Sequence, residues 1–155
     1  VRYTRRREIG PIYFGGLAMN YMRIGLAALA SFAAYFILGG LTFTVPWFRN
    51  EFLKYPAVYR AKDGQMSHMP AGMLAMLLAM VVLAVLYALL YRGGPGLLEG
   101  ARFGALIAAF FVCTFVVHNY VNLNIGLKLT FQQAIAYSIE WMLVGIIIGL
   151  IYKPA

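Results

Sequence analysis

Apolar residues run almost unbroken through four stretches of the chain, about 24–47, 70–91, 101–120 and 131–152. Each approaches or exceeds the ~20 residues that a helix needs to cross a bilayer. None shows the period-2 alternation of a barrel strand, and hydrocarbon tolerates only helices or closed barrels. The pattern therefore predicts an all-α integral membrane protein with four transmembrane helices in an up-down bundle. Residues 1–23 form a basic N-terminal tail, 24–152 the transmembrane domain, and 153–155 a short C-terminal tail. The one substantial polar stretch, 48–69, alternates aromatics (Phe48, Phe52, Tyr55, Tyr59) with charges (Arg49, Glu51, Lys54, Arg60, Lys62). That alternation predicts a short amphipathic helix in the membrane interface, with a turn at Asp63-Gly64. Arg92-Gly93-Gly94-Pro95-Gly96 reads as a tight turn. Trp47, Tyr91, Tyr120 and Tyr152 mark span ends, where amphipathic rings prefer to sit.

Composition strengthens the membrane reading, because 63% of the residues are hydrophobic and a soluble domain carries roughly 45–50%. Charge then sets an expected orientation. Arg2, Arg5, Arg6, Arg7, Arg23, Arg92, Arg102 and Lys153 flank one side, and Arg49, Lys54, Arg60, Lys62 and Lys128 the other. Eight positives against five favour cytoplasmic termini in the bacterial inner membrane. The net charge of +8 is explained by this bias and by anionic lipid rather than by nucleic acid. Arg5-Arg6-Arg7 resembles the basic start of a signal sequence, but the run that follows is too long and reads as a retained anchor. Met19 is an alternative to Val1 as the translation start.

Ionisable groups in hydrocarbon cost roughly 2.5–3.5 kcal/mol on insertion scales and each needs a reason. Glu140 lies mid-span, and Gln133 falls about 20° away on the same helix face. Thr114, His118 and Asn122 are spaced i, i+4, i+8 and form one polar stripe on the third span. Depth matching brings His118 within about one turn of Glu140. The pair reads either as a structural interhelical hydrogen bond or as a proton-handling or ligand-binding site. His118 is also a candidate axial ligand for haem iron or chlorin magnesium. His68 reads as a solvated loop residue.

Gly145-x-x-x-Gly149 in the fourth span and Gly100-x-x-x-Gly104 in the third allow close backbone approach. Gly149 lies about 180° from Glu140 around the helix, so the fourth span has two specialised faces. That predicts either a docked helix from another subunit or packing on both faces within the chain. Gly39-Gly40 marks a close crossing or a weak point in the first span. Cys113 is alone, so no intramolecular disulfide forms. Met66, Met69, Met73, Met76 and Met80 recur at helical spacing and read as packing. Phosphate-loop, metalloprotease and serine-hydrolase motifs are lacking.

The span pattern, the glycine-bearing helix ends and the segment from His118-Asn119-Tyr120 to Asn124-Ile125-Gly126 resemble the small four-span bacterial membrane proteins of unknown function. That resemblance implies a fold and no activity. The expectation is a non-catalytic accessory subunit of a larger membrane complex, respiratory or photosynthetic, with bound lipid or pigment and other membrane subunits as partners. The alternative is a small transporter or channel using Glu140 and His118, and an enzyme acting on lipids ranks third.

Overall fold

A computed structural model describes residues 19–155. Residues 1–18 of the basic tail, with Arg2, Arg5, Arg6 and Arg7, lie outside them, whereas its last residues, Tyr21 to Arg23, already belong to the first helix. The described residues are almost wholly helical, and four helices are long and apolar enough to cross a membrane.

The first span, α1 (Tyr21–Thr44), starts where the Asn20 side chain accepts a hydrogen bond from the Arg23 amide at 3.1 Å. It stops at Val45, which is extended because Pro46 disfavours helical backbone in the residue before it. Pro46 then opens α2 (Pro46–Phe52), where its missing N–H costs nothing. Trp47 therefore belongs to α2 rather than to the end of span one.

The second span, α3 (Lys62–Leu90), begins eight residues before Pro70. Asp63-Gly64 is its first turn and not a loop turn, because a negative residue there suits the helix N-terminus. His68 lies on this helix rather than in a loop. Pro70 removes one donor from the interior, yet the helix continues through it. Gly93, at φ +84°, makes the turn into span three. The Glu99 carboxylate reaches back to accept the Gly94 amide at 2.8 Å.

Span three runs from Gly96 to Asn122: α4 (Gly96–Phe111), a π-helical stretch (Val112–Val117) and α5 (His118–Asn122). Span four, α6 (Leu127–Ile151), begins four residues before the apolar run at 131. Thr130 Oγ1 bonds back to the Gly126 carbonyl, which lets the polar start join the helix.

Spans three and four form the tightest pair. A Cβ on Gly100 would lie 2.5 Å from the Gly145 carbonyl oxygen, and one on Gly104 would lie 2.7 Å from that of Trp141. Gly96 and Gly149 meet backbone to backbone in the same way. The glycine face of span four is thus covered by span three of the same chain, and not by a helix from outside. Span one lies against span two on one side and span four on the other. Ala27 and Ala28 are fully buried in that contact layer, in one core with Met80, Ala84, Val144 and Ile148. Tyr87, Tyr91, Phe103 and Tyr152 close the turn-side end as an edge-to-face aromatic knot.

Candidate functional site

Glu140 stands at the middle of α6 and is 4% exposed. It turns toward span one. A Cβ on Gly39 would lie 3.9 Å from its Oε1, an ordinary contact, so the carboxyl packs beside that glycine. Beside it opens a cleft of about 450 Å³ between spans one, two and four, within the roughly 300–1,000 Å³ range of ligand sites. Tyr35, Phe36, Phe43, Phe48 and Tyr137 supply aromatic walls, and Gly39, Gly40 and Ala136 leave the space. Gln65 and Met69 line it from span two.

The Thr42 hydroxyl lies 2.9 Å from the Leu38 carbonyl and 3.4 Å from Glu140 Oε1. A hydroxyl has one proton to give, and the carbonyl is the closer acceptor. Glu140 is therefore poorly satisfied from within the chain, and no cation pairs with it among the described residues. A carboxyl of this kind offers an acceptor, and when neutral a donor as well, to whatever occupies the cleft.

Phe48 of α2 roofs the loop side of the cleft, and residues 53–61 continue from that roof; both segments are tied to the start of α6. Gln132 Nε2 donates to the Trp47 carbonyl at 2.8 Å, and Gln133 Nε2 donates to the Tyr59 hydroxyl at 3.0 Å. The Gly126 amide donates to the Tyr55 hydroxyl at 3.0 Å. Glu51 is buried between Lys54 at 2.9 Å and Lys128 at 3.2 Å. Phe52 stacks on Tyr59 with centroids 4.0 Å apart.

Hydrogen bonding from Lys54, then from Lys128, holds the Glu51 carboxyl below its ordinary value of 4.5, against the opposing effect of burial. A depressed folded value means that this contribution is complete above the ordinary value and is lost as pH falls through the folded one. Loop docking is expected to loosen over that acid window, and Glu51→Gln is expected to loosen it at neutral pH. Hydrogen exchange of the Gly126 amide, corrected for intrinsic rate, reads this directly. Unchanged protection in Glu51→Gln would remove the ion-paired carboxylate from the docking account.

The residues singled out by sequence separate. Gln133 and Glu140 share one buried face of α6, with Tyr137 between them. Glu140 faces Thr42 on span one and makes no hydrogen bond or ion pair with His118. Thr114, His118 and Asn122 are exposed on span three. Thr114 and Asn122 satisfy themselves by bonding to the carbonyls of Phe110 and His118. His68 lines a groove between spans one and two, with its Nδ1 2.9 Å from the Gly64 carbonyl. The two histidines thus sit on different spans. Cys113 is exposed, next to Thr114 in the π-helical stretch. Gly100, Gly104, Gly145 and Gly149 form the seam between spans three and four.

Sequence reasoning missed Gln132 and Thr42, and read Tyr55 and Tyr59 as interfacial rings without their hydroxyl partners. Gln132 carried a usable signal, since two adjacent amides at the start of an apolar span need partners.

No curated protein and no solved structure matches this chain. One family model does, over residues 26–149, which takes in most of all four spans and the loop that roofs the cleft. The chain belongs to the family described as "Protein of unknown function (DUF1761)".

Proposed function

We propose that this protein is a non-catalytic membrane component that holds an apolar molecule, bearing one hydrogen-bonding group, against Glu140. The supporting observation is the position of Glu140: buried at mid-helix, underused by its neighbours, and on the wall of an aromatic cleft. The occupant is a lipid-like or pigment-like molecule, consistent with a role as accessory subunit of a larger complex. Docking to that complex uses the lipid-facing sides of the spans, because the glycine seam is consumed within the chain.

A transporter is the second reading, favoured by the mid-membrane depth of the same carboxyl. Against it stands the aromatic knot of Tyr87, Tyr91, Phe103 and Tyr152, which closes the turn side. Proton flux into proteoliposomes separates the two. The binding reading expects no flux in wild type or Glu140→Gln. Wild-type flux that Glu140→Gln abolishes would establish the transporter.

The charge bias adds an orientation to the proposal: cytoplasmic termini, with α2 and residues 53–61 on the outer side of the inner membrane. In a Cys113→Ala background, an impermeant thiol reagent added outside cells is expected to label Leu53→Cys and spare Lys153→Cys. The opposite labelling would invert the orientation.

A further inference from the structure

A second cavity, about 480 Å³, lies under the roofing loop, with Arg49, Arg60, Tyr55 and Tyr59 on its walls. An open groove of about 410 Å³ runs from it along the outside of spans one and two, past Phe36, Gly72, Met73 and Met76. Arg60 and Gln65 line both, so a charged compartment passes directly into an apolar one. The groove lies among exposed Met66, Met69, Met73 and Leu74, on a surface that faces lipid in a spanning helix.

The charges at this end do not cancel. Glu51 is shared by Lys54 and Lys128, which leaves that cluster one positive charge in excess, and no carboxylate pairs with Arg49 or Arg60 among the described residues. Asp63, in the first turn of α3, is exposed and lies off both walls. The turn-side cavity of about 350 Å³ differs, because Glu99 sits there with Arg92 and Arg102. Two guanidinium groups on the walls of one cavity, without a carboxylate partner among the described residues, attract a phosphodiester and offer it charged donors.

We infer that this is a binding site for an anionic phospholipid of the loop-side leaflet, with its phosphate at Arg49 and Arg60 and one acyl chain in the groove of Gly72 and Met73. The groove adjoins the Glu140 cleft, sharing Tyr35, Phe36, Gln65 and Met69 with it, but the phosphate is placed at Arg49 and Arg60, which lie off the cleft wall. Gly72 is the device that keeps the groove open. A Cβ there meets nothing within 4 Å, so a larger side chain fills the groove without disturbing the fold.

The test uses the full chain in mild detergent, offered phosphatidylglycerol and phosphatidylcholine with matched chains, with retained lipids counted by native mass spectrometry. Wild type is expected to retain one phosphatidylglycerol in preference by about tenfold or more, as a charged hydrogen-bonded pair supports. Arg49→Ala with Arg60→Ala is expected to erase that preference, and Gly72→Phe to weaken retention with helicity unchanged. Arg102→Ala, on the turn side, is expected to change nothing. Equal retention of the two lipids, or insensitivity to the double substitution, overturns the site. Retention unchanged in Gly72→Phe overturns the placement of the chain. Displacement of the lipid by millimolar inorganic phosphate overturns the lipid reading in favour of a free anion.

Discussion

Gly145→Leu is expected to destabilise the membrane domain by about 3 kcal/mol or more, above the usual cost of core overpacking. The reason is what the new Cβ meets. It would lie 2.5 Å from the Gly100 carbonyl oxygen and 2.5 Å from the Gly104 amide nitrogen, and backbone has no rotamer through which to yield. Spans three and four must then separate, and the close contact between them is lost along its length. Gly149→Leu is expected to act in the same way, through the backbone of Gly96 and Gly100, and so to damage the fold itself rather than the docking of a partner. Gly25 is the internal control: a Cβ there meets nothing within 4 Å, and Gly25→Ala is expected to be neutral or to stabilise by up to about 1 kcal/mol. Unfolding in mixed micelles measures all three. A Gly145→Leu protein as stable as wild type would contradict the seam.

The spans were legible because hydrocarbon leaves so little choice: a long apolar run must be a helix. The ends were less so. Pro70 looked like a beginning, yet α3 starts at Lys62, since the more polar residues 62–69 complete helical turns ahead of the apolar run. The glycine pairs announced close packing but not the partner, because spacing gives a face and not its neighbour. Glu140 stood out for its cost alone. Its pairing with His118 failed because matched depth does not fix rotation. The Thr114–His118–Asn122 stripe points away from the bundle, and the π-helical stretch beside it shifts the helical phase that the i, i+4, i+8 count assumed. Thr42 was hidden by its ordinary place near a span end. Tyr55 and Tyr59 looked like interfacial rings, and only the folded loop brings their hydroxyls onto Gly126 and Gln133.

The second large effect is expected at Gly40, on the wall of the Glu140 cleft. A side chain there enters open space, since nothing lies within 4 Å of an added Cβ. Gly40→Phe therefore fills the cleft while leaving Glu140, Thr42 and the helix contacts in place. It separates occupancy from the carboxyl's own structural role, which Glu140→Gln does not. Replacing Gly within a helix also favours helical backbone by up to about 1 kcal/mol, so stability is expected to hold.

Organic extraction of the purified protein, followed by mass spectrometry of what it releases, tests the central claim. Wild type is predicted to yield, beside the phospholipid of the groove, one phosphate-free species near stoichiometric amount, carrying a hydroxyl, carbonyl or amide on an apolar body. Gly40→Phe is predicted to lose it by about tenfold or more, the loss of at least ~1.4 kcal/mol of binding, with helicity unchanged. Equal amounts from both proteins, or no such species from wild type, would contradict it.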